Sequence, residues 1–370
     1  MTAAGIATVA RQELRLRIRA GRWKWLLGAF FVVLVVFTAL LSAGLAGVGA
    51  EQIPYRGTVL FGSLMLFVLG LALLVVPALA AQSVNGDRER GTLATLQVTR
   101  LSAAEITLGK FAAAWGTSLV FLVLTLPLVV FAMTQSGVPF GRVVVVLAVI
   151  ALLLGTVCAV SLWLSATLAR TTTSAVLAYL AVFTLTFGTL IAFGLATAVT
   201  TESYTATYEA PCAVDDTSCI PGSGRESYES TRARTDRTWW LLAPNPFVVL
   251  ADAAPALPTH DPDHNRLGVQ ASDLDPLGQI GRVVRELRLP PRDDPAWVPL
   301  GPDGDPNSVR VYPEGDPGSV PLRPGDLSAA PAVWPTGLAV NVLLGVGALV
   351  LTVRRLRTPT RTLPTGQRVA

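Results

Sequence analysis

Long apolar runs alternate with short polar connections along most of the chain. Six runs reach or exceed the length of about 18 to 20 residues that an apolar helix needs to cross a bilayer. They cover residues 25–48, 58–81, 111–133, 143–169, 174–199 and 334–353, and none of these cores contains Asp, Glu, Lys, Arg or His. The pattern predicts an all-α polytopic membrane protein with six transmembrane helices.

The basic residues between the runs predict the orientation. The first 24 residues, the loop after the second run and the tail carry most of them, whereas the two short opposite loops carry only Arg56 and Arg142. Basic residues in short loops stay on the cytoplasmic side, so both termini are expected there. The large loop region between the fifth and sixth spans, residues 201–333, is then extracytoplasmic. The basic start is too long for a signal peptide and precedes a retained span.

Charge separates this loop region from the rest of the chain. Residues 201–333 hold 20 acidic and 11 basic residues, a net charge of −9, and the remaining residues carry +13. Because the basic groups flank spans, they predict contacts with anionic membrane lipid rather than with nucleic acid. Arginine far outnumbers lysine, and Ala, Val and Gly are abundant, as in high-GC bacterial genes. The expected location is therefore the bacterial plasma (inner) membrane.

Five regions follow from these patterns. Residues 1–24 predict a cytoplasmic amphipathic elbow helix in the headgroup layer, although alternation at Leu14, Leu16 and Ile18 also fits a strand. The other regions are five spans within 25–200 with a polar segment at 87–101, a Pro/Asp-rich extracytoplasmic region at 201–333, a sixth span at 334–354 and a basic tail at 355–370. Two helices are predicted inside the Pro/Asp-rich region, after Asn245 and Asp275, and the first fits either a re-entrant element or an interfacial anchor.

The polar segment between the second and third spans has local structure of its own. Ser102 and Glu105 have capping-box spacing, in which each side chain satisfies a free backbone N–H of the other residue. A short helix is therefore expected to end near Arg100, and a new one to begin at Ser102 and continue into the membrane. The alternative is an ordinary charged loop that fixes topology.

The residues Glu89-Arg90-Gly91-Thr92-Leu93, Leu101-Ser102, Ile106 and Gly109-Lys110 resemble the signature of ABC transporter permeases of the type-2 exporter class. The resemblance covers about residues 1–200 and the last span, and departs at Arg100, where the family often has proline. It implies a permease subunit of an ATP-driven exporter, a second permease chain in a homo- or heterodimer, and a separate cytoplasmic ATPase. The segment at 87–101 is then a coupling helix that docks on the ATPase, with the contact residues Arg88, Glu89, Arg90, Gly91, Thr92, Leu93 and Leu96.

Little else in the sequence points to chemistry. Cys212 and Cys219 are candidates for a local disulfide in an oxidising exterior, with metal binding as the alternative, and His260 and His264 fit an exposed turn. The chain has no phosphate-binding loop, so ATP and Mg²⁺ are expected on the partner, and no cofactor is expected here. An enzyme is therefore not predicted. The competing function is a membrane scaffold or sensor whose extracytoplasmic region binds a partner without translocation.

Overall fold

The computed structural model describes residues 2–19, 22–47, 56–89, 101–135, 137–209, 225–255, 257, 275–290 and 331–357. This part of the chain is mostly helical. Six helical stretches are long and apolar enough to cross a membrane: Trp23–Gly47, Arg56–Glu89, Ala103–Thr134, Phe140–Thr167, Thr171–Val199 and Trp334–Leu356. The predicted number and order of the spans are therefore confirmed, within the described residues, by helix length and hydropathy.

The helices are α1 (Ala3–Arg19), α2 (Arg22–Gly47), α3 (Arg56–Ala80), α4 (Asn85–Glu89), α5 (Ala103–Leu124), α6 (Leu126–Thr134), α7 (Phe140–Thr167), α8 (Thr171–Phe183), α9 (Thr189–Val199), α10 (Pro246–Ala253), α11 (Pro276–Glu286) and α12 (Trp334–Leu356). A π-helical turn, Thr184–Gly188, separates α8 from α9. The amino-terminal arm is thus a helix and not a strand.

The third span is interrupted at Thr125. Pro127 lacks a backbone N–H and lies in the first turn of α6, so the α5 hydrogen-bond ladder cannot continue through it. The Thr125 hydroxyl donates to the carbonyl of Leu122 at 2.7 Å and closes the end of α5. Pro77 lies inside α3, which ends three residues later at Ala80. Pro127 therefore coincides with the interruption of the third span, and Pro77 lies in the last turn of α3.

The chain divides into two compact units. The first comprises Met1–Gly188, Ala243–Gly281 and Val333–Ala370, and the second comprises Thr189–Leu242 and Arg282–Ala332. In the first unit, α7 lies at the centre and contacts α3, α5, α8, α10 and α12. The most apolar stretch of the fourth span is 61% buried, whereas those of the first and fifth are 17% and 11% buried. The first and fifth spans therefore present apolar side chains outward, as lipid-facing helices do.

The second unit contains an antiparallel β-hairpin that departs from the predicted all-α class. Strand β1 (Thr201–Glu209) pairs with β2 (Arg225–Ala233), with Thr201 opposite Ala233. At its base, Arg234 forms ion pairs with Glu202 and Asp236. Hydrogen bonds from the Arg234 guanidinium lower the pKa of both carboxyls, and the two carboxylates raise the pKa of Arg234.

Candidate functional site

The predicted coupling segment is described at its two ends. Arg88 and Glu89 form the end of α4, and Leu101 and Ser102 precede α5. The residues Arg90, Gly91, Thr92, Leu93 and Leu96 lie outside the described residues, as do Cys212, Cys219, His260 and His264. The site is therefore built from the two ends, which the bundle holds in place.

The capping box at the start of α5 is present as predicted. The Ser102 hydroxyl accepts from the backbone N–H of Glu105 at 3.2 Å, and Glu105 Oε2 accepts from the backbone N–H of Ser102 at 2.8 Å. The other carboxylate oxygen, Oε1, accepts from the backbone N–H and the hydroxyl of Thr2, at 2.5 and 2.9 Å. One carboxylate thus orders the first turn of α5 and attaches the start of α1 to it.

Helix α1 lies along α5. Thr2 contacts Glu105, Val9 faces Gly109, and the Arg17 guanidinium is 3.4 Å from the Thr117 hydroxyl. Contacts that advance together along both helices mean that α1 runs beside the third span in the same direction. The two helices pack closely at Gly109. A Cβ there would lie 2.6 Å from the Cβ of Val9.

A buried lysine lies at the centre of the site. The Lys110 side chain is 1% exposed, and its ammonium forms an ion pair with Asp87 of α4. It also donates to the carbonyl of Ser83 at 2.9 Å and lies 3.4 Å from Glu13 Oε2 of α1. Lys110 therefore connects α5 to α4, to the turn before α4, and to α1. We name Lys110, Asp87, Glu13 and Ser83 the lysine node.

Spans four and five hold the turn that leads into α4. The Ser165 hydroxyl, near the end of α7, accepts from the backbone N–H groups of Val84 and Asn85, both at 3.1 Å. The Ser174 hydroxyl of α8 donates to the carbonyl of Ala81 at 3.0 Å. An apolar cluster that includes Val84, Ile106 and Leu162 lies beside these bonds. The end of the second span is thus fixed against the third, fourth and fifth spans.

The two predicted contact residues that are described differ in exposure. The half-buried Arg88 donates to the carbonyls of Ala166 and Leu168, at 3.1 and 3.4 Å. Its guanidinium therefore contacts the end of α7 in this structure. Glu89 is exposed, and one carboxylate oxygen lies 3.4 Å from the backbone N–H of Thr171. Glu89 is thus the more accessible of the two to a partner.

The sequence did not predict the buried charges at the span ends. It predicts a helix from Ser102 onward, but it does not indicate that Lys110, at the edge of the third apolar run, is buried. A second buried pair, Arg142 with Asp275, joins the start of α7 to the start of α11. The sequence offered one signal for Lys110, the rarity of lysine, because Lys24 and Lys110 are the only lysines in the chain.

At the opposite end of the bundle, α10 packs between spans. Asn245 caps α10, because its carboxamide oxygen accepts from the backbone N–H of Phe247 at 2.9 Å. The carboxamide nitrogen of Asn245 donates to the carbonyl of Thr186 at 2.7 Å. The Asn341 amide donates to the carbonyl of Pro244 at 3.0 Å. Asn341 lies seven residues, about 10 Å, into α12. The residues that precede α10 are therefore fixed to α12 at that level.

The carboxyl end of α10 is attached to the start of the sixth span. Asp252 Oδ2 accepts from the backbone N–H groups of Val333 and Trp334, at 2.6 and 2.7 Å. Beside the other end of α10 lies a small cavity with a mostly apolar lining, formed by Leu73, Leu153, Val157, Val182, Leu185, Pro246 and Asn341. Helix α10 thus borders an internal space between the second, fourth, fifth and sixth spans.

Comparison with known proteins agrees with this architecture. The family model for the ABC-2 family transporter protein matches residues 7–209, which include most of α1, the first five spans and the polar segment at 87–101. No curated protein is similar enough to the chain to give a match. The matched region is more than half of the chain and contains the signature residues identified in the sequence. The chain therefore belongs to the ABC-2 transporter family, as a permease that spans the membrane.

Proposed function

We propose that this chain is the permease subunit of an ATP-driven exporter, coupled to a separate cytoplasmic ATPase through the loop between its second and third spans. The observation that carries the proposal is the arrangement of the loop ends. Glu89 begins the loop at the exposed end of α4, and Ser102 ends it at the capped start of α5. A force on the loop would therefore reach two spans directly.

Each partner has a role in this proposal. The ATPase binds ATP and Mg²⁺ and contacts Glu89 together with the segment from Arg90 to Leu96, while Arg88 holds α4 against α7. A second permease chain, identical or related, completes the translocation path. Lipid and that second chain cover the outward apolar faces of the first and fifth spans. Both termini and the coupling loop lie in the cytoplasm of a bacterial cell.

The test is co-purification of the ATPase with tagged permease from the native membrane. Leu93→Asp places a carboxylate at the proposed interface, and burying an unpaired charge there costs several kcal/mol. We expect at least about tenfold less bound ATPase, since every 1.4 kcal/mol is a factor of ten. Glu89→Arg should also weaken binding, whereas the matched control Gln82→Arg, at the exposed position of the turn before α4, should not. Wild-type recovery with both Leu93→Asp and Glu89→Arg would refute the docking site.

The acidic region 201–333 favours one alternative, a membrane scaffold or sensor that binds an external partner without translocation. Its hairpin base carries a cluster of ion pairs around Arg234. The same pull-down separates the two functions. Recovery of extracytoplasmic proteins and no P-loop ATPase would favour the scaffold.

A further inference from the structure

Acidic residues are scarce in this chain outside residues 201–333, and most of the few that occur lie close together. Only five acidic residues occur outside that region: Glu13, Glu51, Asp87, Glu89 and Glu105. Three of them contact the first three turns of α5 or its capping residue, since Glu105 belongs to the capping box and Glu13 and Asp87 pair with Lys110. Burying a charged group is unfavourable unless it is paired. Solubility therefore does not explain why three acidic residues lie together near the start of α5.

The lysine node satisfies the whole donor capacity of the ammonium. A lysine ammonium has three N–H donors, and Lys110 has three acceptors: the Asp87 carboxylate, the Ser83 carbonyl and the Glu13 carboxylate. The acceptors belong to three different elements. Glu13 also lies 3.5 Å from Arg17, whose guanidinium is 3.4 Å from the carbonyl of Leu79 near the end of α3. The node therefore links α1, α3, α4 and α5.

Stability alone is a weak explanation for such a cluster. A buried ion pair is often no more stabilising than apolar side chains of similar volume, although removal of one partner is costly. The node also has a special place in the sequence. Asp87 lies three residues before the undescribed loop segment 90–100, and Lys110 lies ten residues after it. The ion pair thus joins the two ends of the proposed coupling loop at its base.

We propose that Lys110 is the positioning residue that transmits movement of the coupling loop to the spans, an inference that rests on the proposed function. When the ATPase moves the loop, α4 moves with it, and the Asp87–Lys110 pair obliges α5 to follow. Glu13 extends the same constraint to α1. Without the ammonium, α4 and α5 can separate, and the movement is absorbed at the loop.

The opposite end of the molecule provides a readout that a purely structural role would not change. The Trp115 indole of α5 donates to the carbonyl of Ala151 in α7 at 2.8 Å, and α7 in turn contacts α10. Movement of α5 should therefore alter hydrogen exchange in Pro246–Ala253. Exchange at this site reports local opening, and trapping of nucleotide by vanadate reports hydrolysis on the ATPase separately.

The experiment uses the permease with its co-purifying ATPase in lipid nanodiscs. Lys110→Met removes the ammonium that pairs with the carboxylates of Asp87 and Glu13, so Lys110→Met with Asp87→Asn is included to keep the site neutral. Both variants should trap nucleotide as the wild type does, while the change in α10 exchange on adding ATP and vanadate falls about fivefold or more. The matched control is Lys24→Met, the same substitution at the exposed second lysine, and it should retain the full change.

The outcomes separate the inference from the function on which it rests. A wild-type exchange response in the neutral double variant would overturn the role of Lys110 while leaving the exporter intact. Absence of any ATPase from the wild-type preparation would instead overturn the proposed function. A lost response with intact trapping in the double variant, and a full response in Lys24→Met, would establish the node as the transmission point.

Discussion

A glycine in α5 allows α1 and α5 to pack closely. Gly109 faces Val9, and a Cβ at Gly109 would lie 2.8 Å from Val9 Cγ1 and 3.0 Å from the carbonyl oxygen of Ile6. Two helices can approach this closely only where one of them lacks a side chain. Gly116, further along α5, has no atom within 4 Å of the equivalent Cβ position. The two glycines therefore form a natural pair for comparison.

Gly109→Ala should displace α1, because overpacking of this kind costs about 1–3 kcal/mol. Trypsin should then cleave after the exposed Arg11 several-fold faster than in the wild type, which can be followed by mass spectrometry of the protein in nanodiscs. Gly116→Ala should leave the cleavage rate unchanged. Equal rates for the two variants would show that α1 does not depend on close contact at Gly109.

Contacts between residues that are close in the sequence could be predicted, whereas contacts between residues that are far apart in the sequence could not. The capping box joins Ser102 and Glu105, three positions apart, so its spacing is visible in the sequence. The contacts of Glu105 with Thr2 and of Lys110 with Glu13 span 103 and 97 positions. No local pattern encodes such pairs, because they exist only after α1 has packed on α5.

Among the elements, the hairpin is the one whose stability should depend on pH. Arg234 lowers the pKa of Glu202 and Asp236 below their values in the unfolded chain. The stabilisation from these pairs is therefore fully present above the unfolded pKa values of about 4, and it is lost as the pH falls through the lower folded values.

Arg234→Met should accordingly destabilise the hairpin at neutral pH and matter little in acid. Exchange in β1 should be about two- to fivefold faster in the variant near pH 7, the range of exposed ion pairs. Because intrinsic exchange rates also vary with pH, wild type and variant are compared at each pH. A ratio that stays constant from pH 7 to pH 3 would contradict the assignment.

The elements also show where sequence patterns succeed. The six spans, the interruption near Pro127 and the helix starts at Asn245 and Asp275 all follow from hydropathy or proline chemistry. The hairpin was missed although Tyr204, Ala206 and Tyr208 alternate with Ser203, Thr205 and Thr207. Its strands are rich in polar residues, so they lack the apolar face by which a strand is usually identified.

For the molecule as a whole, the six spans found in the described residues predict that both ends of the chain lie on one side of the membrane. The basic residues predict that this side is the cytoplasm. Green fluorescent protein fused after residue 370 should therefore fluoresce, and alkaline phosphatase inserted after residue 265 should be active. Phosphatase inserted after Arg170, in the turn between the fourth and fifth spans, should be inactive. The opposite pattern would invert the topology and remove the coupling loop from the cytoplasm.

The class and family could be predicted from the sequence, but not the arrangement of the spans. The first and second spans have almost equal mean hydropathy, 2.7 and 2.8, yet their apolar stretches are 17% and 56% buried. Lipid and a protein core select for the same apolar side chains. Hydropathy therefore identifies a span without showing which neighbour it faces.

A final consequence concerns how the chain can change in length. The Arg142 guanidinium donates to the carbonyl of Pro255 and pairs with Asp275, so one side chain holds both ends of the segment 256–274. The entropy of closing a loop rises slowly, by about 0.6 kcal/mol for each doubling of its length. Insertions between the buried Leu257 and Asp275 should therefore leave α10 and α11 in place. Because Arg142 holds both of its ends, this segment should tolerate replacement by a sequence of different length.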